Sequence, residues 1–129
     1  MNIPSNVKTF DGELATFWFD ENGILCAAAK PVERTLQKQK NNYQLIREIA
    51  GNKRICLLSD ATLAGPMDKE TRDYASRELP DVIKAMAVIS HSATGTFTAT
   101  IFMSLKQEPI PIKLFDNEAE AREWLNNYI

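Results

Sequence analysis

The chain has 129 residues, of which 44% are hydrophobic and 25% are charged, a composition typical of a globular domain with a substantial core. Its net charge of -2 provides no general attraction to nucleic acid or to an anionic membrane. Cys26 and Cys56 lie inside apolar runs without metal-ligand spacing, which predicts reduced core residues in a cytoplasmic protein.

The chain contains no signal for secretion or for membrane insertion. Its first residues lack a basic segment followed by an apolar one, and no stretch approaches the roughly 18 apolar residues of a membrane span. We therefore expect no integral membrane association.

The first 29 residues show the pattern of strands joined by tight turns. Residues 11–12 and 21–23 have the Asp, Asn and Gly residues that turns favour, and aromatic and apolar residues lie on either side. This pattern predicts an antiparallel meander. Trp18 and Phe19 must point to opposite faces of their strand, so either one outer face offers a dimer contact or a helix covers it.

A helix is predicted from Pro31 to Ala50, because proline suits a first helical turn and Gly51 suits a helix end. Apolar residues recur on one face, and residues 37–42 form a polar interruption. Within residues 32–54, basic side chains outnumber acidic ones. This excess indicates either a solvated helix face or a surface that docks an acidic partner.

The apolar run at residues 55–58 predicts the buried central strand of the sheet. Asp68 has the properties of an N-cap for a helix at residues 68–79, and Pro80 marks its end or a new start. A second apolar run at residues 85–89 predicts another buried strand. The alternation of strands with helices predicts right-handed crossover connections between parallel strands.

Three elements are predicted in the remaining chain. Residues 93–106 have apolar residues at helical spacing, although threonines also alternate there as in a strand. The prolines before residues 112–115 indicate an edge strand. Asp116 or Asn117 can cap a final acidic helix. These elements predict a single α/β domain, 1–129, with a mixed, mostly parallel sheet of about five strands and about four helices.

Three stretches resemble the STAS/SpoIIAA-like group, which includes anti-sigma-factor antagonists and relatives compared with lipid-binding Sec14 domains. They are the strand and loop at residues 54–60, the helical segment at 71–76, and the strand and acidic helix at 113–125, which ends in Trp-Leu. Together they span nearly the whole chain. The resemblance implies a SpoIIAA-like sandwich and a protein that binds regulatory partners.

The chain departs from this group at its phosphorylation motif. Phosphorylated members carry Asp-Ser-Ser-Gly at the start of the second helix. With Asp68 as that aspartate, Lys69 and Glu70 replace the serines and Thr71 replaces the glycine. The resemblance therefore implies that the usual phosphoserine switch is absent and that Glu70 provides a fixed negative charge.

The only histidine, His91, follows a strand and precedes Ser92. The carboxyl ends of parallel strands would place it near Ser59, Asp60 and Thr62, where open α/β sheets bind ligands. A hydrogen-bonded loop histidine is the simpler interpretation, because the serines lack a nucleophile elbow. Gly95 and the hydroxyls around it would rather cap a helix than hold an anion.

The sequence predicts a non-enzymatic, cytoplasmic regulatory module with no metal and no cofactor, since it has no phosphate-binding glycine motif. The resemblance implies a bacterial protein. The sequence predicts a protein partner and no nucleic acid, and it leaves homodimerisation open. The candidate binding residues are Ser59, Asp60, Thr62, Asp68, Lys69, Glu70, His91 and Ser92. The alternative is a carrier or sensor of a small apolar or anionic ligand, bound between helices and sheet near Ser59, Thr62, His91, Phe97 and Phe102.

Overall fold

A six-stranded sheet forms the centre of the protein. The computed structural model describes residues 1–93 and 110–129. The strands are β1 (Phe10–Asp11), β2 (Ala15–Phe19), β3 (Leu25–Ala29), β4 (Ile55–Asp60), β5 (Ile83–Ile89) and β6 (Ile112–Phe115). The helices in the described residues are α1 (Leu36–Ile49), α2 (Lys69–Val82) and α3 (Glu118–Leu125). The predicted helix at residues 93–106 lies, apart from Ala93, outside the described residues.

The strands lie in the sheet in chain order, from β1 to β6. The first three form the predicted antiparallel meander, and β3 to β6 are parallel. The sheet is therefore mixed and mostly parallel, as predicted, with β4 between β3 and β5. The sixth strand is the short β1, which pairs with β2 through Phe10 and Asp11. The proline-flanked β6 is an edge strand, as expected.

Two apolar clusters cover the two faces of the sheet. Phe17, Leu57 and Val88 pack with the buried residues of α1 and α2, whereas Trp18 and Leu58 pack with those of α3. Alternation along each strand produces this division, because successive side chains point to opposite faces. Trp18 is 1% exposed and Phe19 is half-buried against the α1–α2 cluster, so helices cover both aromatic side chains, which is the second of the two predicted alternatives.

Both cysteines are free and buried, in the α3 cluster. Burial raises the pKa of the Cys26 thiol to about 11, although the nearby Arg122 guanidinium opposes the rise. The positions confirm the prediction of core cysteines.

The helix ends differ from the sequence predictions in two places. Pro31 does not begin α1, because bends at residues 31–32 and a bridge at Arg34 precede the helix, and Thr35 caps it by accepting from the backbone N–H of Lys38 at 3.3 Å. Arg34 bridges to Met67 and donates its backbone N–H to the Pro66 carbonyl at 2.9 Å, which holds Arg34 outside the helix.

The second difference is at Pro80, which does not end α2: the helix continues to Val82. The other predicted signals are confirmed. Gly51 lies just past the end of α1 at φ +65, and Asp68 and Asn117 cap α2 and α3.

Candidate functional site

A polar cluster lies at the carboxyl ends of β4 and β5. One Asp60 oxygen, Oδ1, accepts from the Thr62 backbone N–H at 3.0 Å, and the other accepts from the Met1 ammonium at 2.5 Å. The Thr62 hydroxyl accepts from the His91 backbone N–H at 2.9 Å, and the Ser92 hydroxyl donates to the Thr62 carbonyl at 2.5 Å. These contacts join two loops to each other.

The same contacts govern the ionisation of Asp60. Burial of the carboxylate opposes its charge, but hydrogen bonds from the Met1 ammonium and Thr62 outweigh this effect and lower the pKa of Asp60. Since the residue is only 8% exposed, Asp60 is a structural link between segments and presents little surface to a partner.

His91 is exposed, and its ring contacts the backbone rather than a reactive side chain. Its Nε2 lies 2.8 Å from the Asp116 carbonyl oxygen, which can only accept, so Nε2 is the donor. This geometry matches the simpler sequence interpretation, a hydrogen-bonded loop histidine.

The structure separates Ser59 from the other polar residues of this region. Ser59 lies on the sheet face that α1 and α2 cover, where it lines a cavity, whereas Asp60 is on the opposite side because successive strand residues alternate. Thr62 and His91 do not line that cavity. Phe97 and Phe102, the other residues expected around a ligand, lie outside the described residues.

The first turn of α2 presents the remaining candidate residues. Asp68 uses its side chain to cap the helix, accepting from the Thr71 backbone N–H at 2.8 Å, and this hydrogen bonding by Thr71 lowers the pKa of Asp68. Lys69 and Glu70 are exposed. Lys69 pairs with Asp73 at 2.8 Å, whereas Glu70 forms no ion pair within the part of the chain that the structure describes.

A groove of about 750 Å³ runs between α1 and α2 on the outside of the molecule. Its lining residues are Leu36, Lys40, Lys69, Glu70, Asp73, Tyr74, Arg77 and Glu78. Two cations approach the half-buried Tyr74 ring, with Lys40 Nζ and the Arg77 guanidinium carbon each 5.7 Å from its centroid. Charged side chains thus surround an aromatic ring in a concave, accessible surface.

A second, mostly apolar cavity of about 110 Å³ lies between the α1–α2 pair and the sheet. Its polar lining residues are Arg34, Gln39, Asn42, Tyr43 and Ser59. The sequence analysis assigned residues 37–42 to a polar interruption, yet Gln39 is only 3% exposed. The helical spacing could have predicted this burial, because position 39 lies on the same helix face as positions 42, 43 and 46.

Comparisons with known proteins identify the family and the fold. A family described as "Domain of unknown function (DUF7793)" matches residues 17–129. The chain belongs to this DUF7793 family. No curated protein matches it.

Among solved structures, the DUF7793 chain is similar to an uncharacterized protein of the DUF3478 family with a SpoIIAA-like fold, from Shewanella loihica PV-4. The two share 18% identity, with a TM-score of 0.56, and the match covers 96% of this chain and 99% of that one. The predicted SpoIIAA-like fold is confirmed. Within the described residues, no helix is both long and apolar enough to cross a membrane.

Proposed function

We propose that this DUF7793 protein is a non-enzymatic, cytoplasmic regulatory module that binds a protein partner through the α1–α2 groove. The observation that carries the proposal is the half-buried Tyr74 ring, which lies in a concave surface within cation–π distance of both Lys40 and Arg77. Tyrosine and arginine are enriched among the residues that contribute most to protein–protein binding. A partner residue that covers this ring would also desolvate the two cations, which strengthens cation–π attraction.

Glu70 supports the same surface. It is exposed at the rim of the groove, in the first turn of α2, where the helix dipole favours a negative charge. Because it has no ion-pair partner among the described residues, its charge is available to a basic side chain of another protein. In this proposal Glu70 acts constitutively, where phosphorylated members of the SpoIIAA-like group use a reversible charge.

Site-specific photo-crosslinking in the protein's own host tests the proposal. A photoreactive residue is placed at Glu70, and a matched one at Glu123, which is exposed on α3 on the opposite side of the sheet. We expect one defined protein adduct from position 70 and none from position 123. The adduct should disappear when Tyr74→Ala is added.

Two results would count against the proposal. Equal adducts from both positions would indicate non-specific contacts, and an adduct that survives Tyr74→Ala would mean that the groove is not the binding surface. Circular dichroism of Tyr74→Ala checks that the loss does not reflect unfolding, because Tyr74 also stacks on Tyr43 at 6.1 Å between ring centroids.

A further inference from the structure

The cavity between the α1–α2 pair and the sheet contains a cation without a matching anion. Arg34 lines this cavity, and its Nη2 donates to Gln39 Oε1 at 3.3 Å. Across residues 1–93 and 110–129, no carboxylate forms an ion pair with Arg34. A guanidinium has five N–H donors, so most of its donor capacity is available to another molecule.

The surroundings of Arg34 are unfavourable for an isolated charge. Burial lowers the pKa of Arg34, and the neighbouring Tyr43 only partly opposes this effect. The Tyr43 hydroxyl is already committed, because it donates to the Ala75 carbonyl at 2.7 Å. Arg34 is half-buried, so its charge is partly desolvated, and an anion bound here would offset the cost of that desolvation.

An unsatisfied acceptor lies in the same cavity wall. Asn42 Oδ1 is buried and has no hydrogen-bond partner in the part of the chain that the structure describes. Asn42 is three residues beyond Gln39 on α1, and both line the cavity. A hydroxyl group on the bound molecule would satisfy Asn42 Oδ1 while Arg34 holds an acidic group.

The apolar side chains that line the rest of the cavity suit a small aliphatic group on the ligand. They include Phe17, Ala27, Ala29, Leu57, Met86 and Val88. The volume of about 110 Å³ is smaller than the roughly 150 Å³ cavity that accommodates benzene. A branched chain of a few carbons fits this space, whereas a diacyl lipid does not.

From these features we infer that the cavity is a binding site for a small aliphatic monocarboxylate, with the carboxylate on Arg34 and the hydrocarbon against the sheet. Arginine suits this role because its planar fork matches the two oxygens of a carboxylate. The inference is independent of the proposed partner surface, since the cavity and the α1–α2 groove have no lining residue in common.

Titration of the ¹⁵N-labelled protein with isovalerate, followed by NMR, tests the site. Isovalerate has a branched body of suitable size, and isovaleramide has nearly the same shape without the charge. We expect saturable shifts at cavity residues with isovalerate and at least roughly 10-fold weaker binding of isovaleramide, because the charge-assisted hydrogen bonds are lost. β-Hydroxyisovalerate should bind more tightly than isovalerate because it brings a hydroxyl donor for the unpartnered Asn42 Oδ1.

Three variants identify the residues responsible. Arg34→Gln should weaken isovalerate binding roughly 10- to 100-fold, the equivalent of losing charged hydrogen bonds. Arg47→Gln makes the same charge change on α1 outside the cavity and should leave binding unchanged. Ala29→Leu fills the cavity from the half-buried end of β3 and should abolish binding while Arg34 remains.

Several outcomes would overturn the inference. These are the absence of saturable isovalerate binding to the folded wild-type protein, equal affinity for isovaleramide, and unchanged affinity in Arg34→Gln. Much tighter binding of octanoate than of isovalerate would overturn the assigned size of the ligand. The NMR spectrum of each variant reports whether it is folded, so a loss of binding is attributed to the cavity only in a folded protein.

Discussion

Replacement of Leu57 by alanine tests both the central position of β4 and the location of the cavity. Leu57 is 7% exposed on the α1–α2 face and lines the cavity, whereas its neighbour Leu58 is fully buried on the α3 face. Each replacement removes three carbons, equivalent to about 2.4 kcal/mol at about 0.8 kcal/mol per carbon, before any cavity term is added.

The cavity term should differ between the two positions. Leu-to-Ala replacements in cores cost about 2–5 kcal/mol, and the cost rises by about 24 cal/mol per Å³ of space left behind. Because Leu57 already borders empty space, its side chain has fewer neighbours to lose, and we expect about 2–3.5 kcal/mol. Leu58 lies in a filled cluster, so Leu58→Ala should cost about 3–5 kcal/mol.

Urea unfolding followed by far-UV circular dichroism measures both free energies from the midpoint and the slope. Leu63→Ala is the control: its side chain is 60% exposed, so the free energy of unfolding should change by less than about 0.5 kcal/mol. An unchanged midpoint in Leu57→Ala would refute the central position of β4. A larger loss in Leu57→Ala than in Leu58→Ala would contradict the cavity beside Leu57.

Three further predictions concern β4, the loop that follows it and α2. Glu70→Ala should change the free energy of unfolding by less than about 0.5 kcal/mol, because the side chain is exposed; a loss several times larger in urea unfolding would contradict that position. Gly65→Ala should cost about 1–3 kcal/mol, since its Cβ would lie 2.0 Å from the Val32 carbonyl oxygen; a stability equal to wild type would rule out this close approach. Folding lowers the pKa of Asp60, so ionised Asp60 stabilises the folded protein. This stabilisation is present above the unfolded-state pKa of about 4 and is lost as the pH falls through the lower, folded-state pKa. In Asp60→Asn the free energy of unfolding should therefore fall less steeply as the pH is lowered below about 4. A fall as steep as in the wild type would show that Asp60 does not provide this stabilisation.

Much of the fold was predictable because its signals are local. The turn residues before and after β2 and the uninterrupted apolar runs of β4 and β5 indicate strands from their own chemistry. Asp68 and Asn117 identify the starts of α2 and α3, because a capping side chain bonds only to the helix that follows it. The predicted start of α1 was wrong because Arg34 is held outside the helix by its contact with residues 66–67, which lie more than thirty positions further along the chain.

The candidate site was predictable only in part. The exposed first turn of α2, with Lys69 and Glu70, follows from the cap at Asp68. A pocket between helices and sheet was the alternative prediction, and Ser59 does line the cavity. Its other polar residues Arg34 and Gln39 were not identified, because they were assigned to a basic excess and to a polar interruption. Composition alone does not distinguish a solvated polar residue from a buried one.

The sequence by itself determined the element types of the described residues and the parallel core of the sheet, since hydrophobic periodicity and turn chemistry act over a few residues. The SpoIIAA-like fold was implied by the resemblance of three stretches to a known group. Only the tertiary structure decided which polar groups face which space. Strand alternation sends Ser59 to the α1–α2 side and Asp60 to the opposite side, and the packing of α1 over the sheet buries Gln39 beside Arg34. Such placements depend on contacts between segments distant in sequence, which no local pattern contains.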